Sequence, residues 1–218
     1  MKKSIILLIS ILFISFCNAQ DIVANLSNSY CKCLSLSGKI PDSFRKQTCL
    51  LYAFKLTAGI PKSEKKQKEL IMKSFIYLEK YCPEYLKLIY RLKPLKGDWE
   101  FSDSSIQSRL DTSECRKICS YNNLYYLETN GDTTYLSLKN NFWIDTFKNK
   151  ASYSKLKLKW KSSCDFEIEF IESNNYAKNQ LSKKGDKYFY RIIDKTSTYY
   201  LLNMLFGNSW YEFKIYYQ

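Results

Sequence analysis

Two acidic residues in the second half of the chain have the spacing of a possible catalytic pair. Glu167 and Glu169 flank Ile168 in a segment where charged and apolar residues alternate. Glycoside hydrolysis uses one carboxyl group as a general acid and a second as base or nucleophile. Residues 155–161, however, carry lysines at the same alternating spacing, and a hairpin would place these lysines opposite the carboxylates. Nearby lysines keep carboxylates ionised, whereas a general acid needs a raised pKa. The pattern therefore predicts a solvated outer face rather than a catalytic pair.

The chain contains no histidine. This absence excludes Ser-His-Asp and Cys-His catalysis, histidine ligands to zinc, and the usual base that titrates near neutral pH. A hydrolase that uses carboxylates would need a buried, converging pair such as Asp145 with Asp194, and a sequence does not show convergence. We therefore expect a protein that is not an enzyme and that has no cofactor.

Residues 1–19 have the pattern of a signal peptide. Two lysines precede an apolar run over residues 5–16, which is too short to span a bilayer comfortably, and Ala19 supplies the small residue for cleavage. We expect export to the periplasm or the cell exterior, with a mature chain that begins at Gln20. The alternative is a lipoprotein acylated at Cys17, but the residue before that cysteine is large.

The cysteines that follow this leader favour disulfide bonds over a reduced metal site, because an exported protein folds in an oxidising compartment. Cys31 and Cys33 could form half of a zinc clip, but no second close pair lies near them, so we expect no metal site. Together with Cys49 and Cys82 they predict two disulfides that join the first predicted helix to the second and third. Their connectivity is left open by the sequence.

Three cysteines remain in the second half of the chain. Cys164 falls on the apolar side of its predicted hairpin and needs a partner, which is either Cys115 or Cys119. One thiol is left over, and it is either buried and inert, bridged to a second chain, or reactive. We expect no nucleophilic role for it, because no base is available.

Charge is distributed unevenly along the chain. Residues 20–96 carry 15 basic and 6 acidic side chains, whereas residues 97–218 carry 17 and 15. A basic exported module attracts anionic polysaccharide, an anionic lipid surface or an acidic protein partner, and no nucleic acid is expected outside the cell. The plain alternative is that lysine-rich helix faces keep the module in solution.

Residues 20–93 are predicted to form a Cys-rich helical module. Apolar residues recur there at helical spacing, and prolines and glycines divide the segment into four helices. On the second helix, the predicted inner face includes Phe44, Cys49, Tyr52 and Leu56. Residues 94–97 form the predicted linker.

Residues 98–218 are predicted to form an antiparallel β domain, because apolar and polar residues alternate there and turn signals recur. The predicted fold class is therefore α+β, with a small antiparallel helical array followed by an antiparallel β-meander that closes as a small barrel. The predicted core residues of this domain are Trp99, Trp160, Phe166 and Ile168. The predicted strands cover residues 99–101, 124–128, 134–139, 156–160, 166–171, 187–193, 199–204 and 210–217.

The register of one hairpin follows from its pattern. The apolar residues of segments 155–161 and 165–170 must both face the core, so paired positions need matching parity and the loop needs an odd length, most simply residues 162–164. The predicted partners are Lys161 with Asp165, Trp160 with Phe166, Lys159 with Glu167, and Lys157 with Glu169.

Two segments resemble a known group of proteins. Gly97-Asp98-Trp99 resembles the Gly-x-Trp that opens the first strand of lipocalins and lipocalin-like barrels. The run from Trp160 through Cys164 to Ile168 resembles a Trp-x-x-x-Cys-x-aromatic-x-aliphatic hairpin of small exported β-proteins of Bacteroidetes-type bacteria. The resemblance covers residues 97–218 and implies a barrel in which Cys164 pairs with an earlier cysteine. The Cys-rich helices look similar to modules attached to other exported proteins of such bacteria. The group has no established activity, so the resemblance implies a fold and not a function.

The sequence leads to one principal hypothesis and two alternatives. The principal hypothesis is an exported, non-enzymatic binding or interaction protein, whose basic helical module contacts an anionic surface or a partner. Its barrel holds one apolar ligand or is filled by side chains, and the many aromatic residues favour a filled barrel. The first alternative is an immunity or inhibitor protein that binds a secreted toxin or protease through an exposed loop, residues 102–118 or 173–185. The second is a carboxylate-dependent hydrolase of the cell envelope.

Overall fold

The computed structural model describes residues 22–102, 104–147 and 151–218. The predicted leader, residues 1–19 with Cys17, lies outside the described residues. Among those that are described, no helix has both the length and the apolar character needed to cross a membrane. The chain divides into two units between Pro94 and Leu95, within the predicted linker.

The N-terminal unit is helical. Pro41 precedes the second helix, and Pro83 occupies the first turn of the fourth, where its missing N–H is not needed and Cys82 provides the N-cap. The core contains Leu26, Tyr30 and Leu78 together with neighbouring side chains. The helices are α1 (22–36), α2 (Asp42–Leu56), α3 (Glu64–Tyr81) and α4 (Pro83–Leu92).

The prediction of the inner face of α2 is wrong for every named residue except Cys49. Phe44, Tyr52 and Leu56 are exposed, and the side chains that α2 buries are Arg45, Cys49 and Ala53. These three are spaced four residues apart, so they form a single narrow stripe on the helix. Because a disulfide joins Cys49 to α1, the stripe that contains this cysteine must face the core.

The C-terminal unit is a closed antiparallel barrel, which confirms the predicted α+β class. The strands are β1 (Glu100–Ser102), β2 (Leu124–Leu127), β3 (Thr133–Lys139), β4 (Phe142–Phe147), β5 (Tyr153–Trp160), β6 (Asp165–Ser173), β7 (Lys187–Lys195), β8 (Tyr199–Phe206) and β9 (Ser209–Tyr217). Strands β2 to β9 pair in sequence order, and β9 closes the barrel by pairing with both β8 and β2. The short β1 pairs with residues 210–212 of β9, whereas β2 pairs with residues 216 and 217 of the same strand.

The barrel has short helices near its two ends. Consecutive connections in an antiparallel meander alternate between the ends, so the β6–β7 connection lies at the same end as the β2–β3 turn. This connection contains α6 (Tyr176–Leu181). The opposite end receives α5 (Thr112–Arg116) and a 3₁₀ turn (Lys117–Ser120), whose Ile118 is fully buried.

The register predicted for the β5–β6 hairpin is confirmed. Trp160 pairs with Phe166, Lys159 with Glu167, and Lys157 with Glu169. The ion pairs do not follow the strand register. Glu167, which lies opposite Lys159, forms its ion pairs with Lys161 and Lys187 at 3.5 and 3.4 Å. The carboxylate stays on the outer face of the barrel and is surrounded by lysines, as the alternating pattern indicates.

One strand, β4, was not predicted. Asn140 and Asn141 form the tight turn before it, and both have positive φ angles, 54° and 61°. Positive φ at both central residues is the requirement of the hairpin turns whose twist matches that of the flanking strands. The strand brings the side chains of Trp143 and Asp145 into the barrel interior.

The predicted core residues do not all reach the interior to the same extent. Phe166 and Ile168 are buried, with 1% and 2% of their surfaces exposed. Trp99 is half-buried and stacks on Phe213, with ring centroids 4.4 Å apart. Trp160 requires a correction, since it has the inward parity of β5 but is its last residue and is only half-buried.

Candidate functional site

The barrel contains a small, partly open cavity of about 120 Å³. Its lining comes from most of the strands and from the segment that contains α6, which contributes Lys178, Leu181 and Ser182. The cavity therefore lies toward the end of the barrel that carries the β6–β7 connection. Buried side chains such as Leu136, Leu138 and Phe166 occupy other parts of the interior, so the barrel is neither hollow nor completely filled.

Aromatic rings form much of the cavity wall. The ring of Trp143 lies 5.3 Å from that of Tyr190 and 6.5 Å from that of Tyr126, centroid to centroid. Phe213 contacts Tyr126 edge to face at 5.8 Å and stacks on Trp99. Aliphatic and phenyl side chains, Leu156, Ile168, Phe170 and Met204 among them, complete the apolar part.

An acidic side chain lies among these rings. Asp145 is 6% exposed, and its Oδ1 accepts a hydrogen bond of 2.7 Å from the indole N–H of Trp143. Burial raises the pKa of Asp145 to about 7, and the nearby charge of Lys178 only partly opposes this effect. Burial likewise raises the pKa values of the neighbouring phenols Tyr126 and Tyr190. The carboxyl group therefore titrates near neutral pH in a chain that has no histidine.

A salt bridge lies beside Asp145. Lys178 of α6 donates to both carboxylate oxygens of Glu128, at 3.0 and 3.2 Å. Glu128 also accepts a hydrogen bond from the hydroxyl of Thr134 at 2.9 Å. The ammonium group of Lys178 lies 5.4 Å from the centroid of the Phe147 ring. The pair connects α6 to the end of β2.

The predicted disulfide bonds are present. Cys31 joins Cys82, and Cys33 joins Cys49, so both bonds connect α1 to later parts of the helical unit. In the barrel, the partner of Cys164 is Cys115 of α5. This bond holds α5 against the β5–β6 loop, at the end of the barrel opposite to α6.

The remaining cysteine of the described chain, Cys119, has a free thiol. It is half-buried, and burial raises its pKa although Arg116 acts in the opposite direction. A raised pKa disfavours the nucleophilic thiolate at neutral pH.

One cluster of metal-ligating groups occurs among the described residues. The sulfurs of Cys31 and Cys82 and a carboxylate oxygen of Glu84 lie within 4.8 Å of one another. Because the two sulfurs are joined to each other, neither is available as a thiolate ligand.

The carboxylates considered from the sequence do not form a pair. Asp194 lies at the surface, where Arg109 contacts it at 3.1 Å, whereas Asp145 faces the barrel interior. Glu167 and Glu169 lie on the outer face of β6. The charged groups that do meet in the cavity are Asp145, Glu128 and Lys178, and the last two were not predicted.

The helical unit carries a second feature, on the solvent side of α2. Phe44 and Leu51 are 67% and 58% exposed and are separated by seven residues, which places them on one face of the helix. Lys55 lies four residues beyond Leu51 on the same face. We name Phe44, Leu51 and Lys55 the outer stripe of α2.

Gly97 and Trp99, which carry the resemblance to lipocalins, meet at the end of β2. The indole N–H of Trp99 donates to the carbonyl of Leu127, and a Cβ on Gly97 would lie 2.8 Å from the Cβ of the same leucine. Comparisons of the chain with protein-family models, with curated proteins and with solved structures found no match. The relation to exported lipocalin-like proteins stays a prediction.

Proposed function

We propose that this chain is an exported, non-enzymatic binding protein whose barrel takes up one small ligand. The observation that supports the proposal is the cavity of about 120 Å³, which has apolar walls and a few convergent polar groups. Pockets for drug-sized ligands usually measure at least roughly 300 Å³. An apolar cavity of roughly 150 Å³ can hold benzene, so the expected ligand is about the size of one ring.

Single-ring compounds test this function directly. The full chain is titrated with toluene or with a more polar single-ring compound, and binding is measured from chemical-shift changes at the cavity residues. Ile168→Phe adds volume to the cavity lining and should abolish binding, whereas Leu138→Phe, at a buried position outside the lining, is the matched control. Binding that survives Ile168→Phe, or no binding to the unmodified chain, contradicts the proposal.

The helical unit supports a second proposed role, which is docking on an anionic lipid surface. The outer stripe of α2 places two apolar side chains in solvent, and residues 20–96 have a large excess of basic over acidic side chains. An apolar stripe in a basic helix favours a lipid surface over a polysaccharide, because a polysaccharide offers little to bury apolar groups. Protein partners remain the other outcome.

Co-sedimentation with vesicles distinguishes these roles. Vesicles that contain an anionic phospholipid should retain the protein at low salt, and neutral vesicles should not. Phe44→Ser with Leu51→Ser should abolish retention, and Tyr176→Ser, an exposed aromatic residue of the barrel unit, is the control. If neutral vesicles retained the protein equally well, electrostatic attraction would not contribute to membrane binding.

The two alternative functions have weaker support. A carboxylate hydrolase needs a second free carboxylate near Asp145, but Glu128 is bound to Lys178, and the cavity has no room for two sugar units. An inhibitor needs a free loop, but part of the 102–118 segment is attached to the barrel through hydrogen bonds of Ile106 to Asn203 and of Arg109 to Ile193. The segment 173–185 carries Lys178, which is bound to Glu128.

A further inference from the structure

We propose that the cavity ligand is a small organic cation, an amine with one apolar group, whose ammonium lies beside Asp145. The inference rests on the proposed binding function and specifies the chemistry of the ligand. It follows from the charges in the cavity lining, from the aromatic rings around Asp145 and from the apolar remainder of the space.

The charges of the lining leave one carboxylate without a matching cation. Three side chains of the lining carry charge, namely Asp145, Glu128 and Lys178. Lys178 donates to both oxygens of Glu128, so these two form a neutral pair. Ionised Asp145 adds a net negative charge inside the barrel, where an uncompensated charge is costly. A monocation placed beside it would make the site neutral.

The groups around Asp145 suit an ammonium ion. Trp143, Tyr126 and Tyr190 line the cavity, and a desolvated cation is attracted to the electron-rich face of an aromatic ring. The hydroxyl of Ser154 and that of Ser182 belong to the lining and can accept hydrogen bonds from an N–H.

A metal ion or an anion fits the same groups less well. The single cluster of three ligand-type groups in the described chain lies in the helical unit and not at Asp145. An anion would meet the negative charge of Asp145 and would have to displace Glu128 from Lys178. The remaining wall, with Leu156, Ile168 and Met204, accommodates an apolar group of one ring or a short branched chain.

Binding of a cation should depend on pH. The groups that face Asp145 are Trp143 on its own strand, Tyr126 and Glu128 from β2 and the turn after it, Tyr190 from β7, and Lys178 from α6. The two phenols stay neutral below pH 10, since burial raises their pKa values. As pH rises through the pKa of Asp145, its carboxyl group ionises and attraction for an ammonium ion increases. An aliphatic amine keeps its own proton over this range.

Four compounds of nearly equal shape test the charge preference with the full chain. They are benzylamine, benzyl alcohol, toluene and benzoate, each titrated at pH 8 and at pH 5.5 by calorimetry or by chemical-shift changes. We expect benzylamine to bind at least tenfold more tightly than benzyl alcohol at pH 8, and the difference to shrink at pH 5.5. Asp145→Asn should remove the difference, whereas Glu169→Gln, on the outer face of β6, should preserve it.

Each outcome is decisive. Tighter binding of benzoate, or equal binding of benzylamine and benzyl alcohol at pH 8, overturns the cationic ligand but leaves the binding function intact. Absence of binding by all four compounds overturns the binding function itself. If Asp145→Asn does not fold, the comparison of benzylamine with benzyl alcohol on the unmodified protein at pH 8 still decides the question, because it needs no substitution.

Discussion

The indole N–H of Trp143 donates a hydrogen bond of 2.7 Å to Oδ1 of Asp145, two residues further along β4. Both side chains face the interior of the barrel, because residues at i and i+2 of a strand lie on the same side. The indole group thus holds a carboxyl group against a wall that is largely aromatic, beside the Glu128–Lys178 pair. The hydrogen bond favours the ionised form, but burial has the larger effect and raises the pKa of Asp145 to about 7.

The raised pKa predicts that stability falls as pH rises. The folded protein holds the Asp145 proton up to about pH 7, whereas the unfolded chain loses it near the ordinary value of 3.8. Between these values the folded state binds more protons, so the free energy of unfolding decreases with pH until the carboxyl group is fully ionised. The full difference is on the order of 4 kcal/mol, since one pKa unit corresponds to 1.36 kcal/mol.

Denaturant unfolding of Asp145→Asn at pH 5.5 and pH 8 measures this effect. The unmodified protein should lose about 2 kcal/mol of stability between the two pH values, because only the range from pH 5.5 to the pKa of about 7 contributes, and the variant should lose much less. Glu169→Gln should behave like the unmodified protein. An equal pH dependence in Asp145→Asn would show that Asp145 has an ordinary pKa.

Strand β4 shows most clearly which part of this site could not be predicted from the sequence. The strand was not predicted, because its only acidic residue, Asp145, faces inward while Phe142 and Ile144 face outward and are only partly buried. The usual alternation of apolar-in and polar-out is therefore inverted there. The Asn140-Asn141 turn was the signal that could have revealed the hairpin. By contrast, the β5–β6 hairpin was predicted residue by residue, because both its strands alternate in the regular sense.

The rest of the site was beyond prediction for a different reason. Lys178 and Glu128 are 50 residues apart in sequence and meet only because α6 lies over the end of the barrel. Local patterns predict elements, but they do not specify which side chains of distant loops come together. The disulfide bonds were easier to predict, because the number of possible cysteine pairings is small. For Cys164 there were two candidate partners, and the structure pairs it with Cys115.

The close approach of Gly97 to Leu127 predicts a strong effect of a single methyl group. Gly97 has φ +72°, and a Cβ there would lie 2.8 Å from the Cβ of Leu127. Gly97→Ala should therefore destabilise the barrel by about 1–2 kcal/mol for the strained backbone, with a further cost for the clash. Gly185 has φ +91° with nothing within 4 Å of its added Cβ, so Gly185→Ala reports the backbone strain alone. Denaturant midpoints of both variants give the comparison, and equal losses would rule out the clash.

The disulfide between Cys115 and Cys164 should stabilise the barrel substantially. It joins residues 49 apart in sequence, and closing a loop of this length is worth about 4 kcal/mol in the chain-entropy account. The double change Cys115→Ala with Cys164→Ala should lower the unfolding midpoint accordingly. Cys119→Ala is the control, because this thiol is free and half-buried and should have a much smaller effect. Non-reducing peptide mapping that links Cys164 to Cys119 would contradict the observed pairing.

The salt bridge between Glu128 and Lys178 should contribute more than a typical surface pair. Its two side chains are 19% and 29% exposed, and Glu128 is also held by Thr134. A double-mutant cycle with Glu128→Gln and Lys178→Met should give a coupling energy of about 1–3 kcal/mol. The Glu64–Lys68 pair of α3, whose side chains are 79% and 75% exposed, should give less than about 0.5 kcal/mol in the same experiment. The comparison also bears on the ligand, because a strong Glu128–Lys178 coupling means that Lys178 is held by Glu128 and compensates the charge of Asp145 only in part. If both cycles give equally small energies, the Glu128–Lys178 pair contributes no more than an exposed pair, and the charge balance argued for the cavity loses this support.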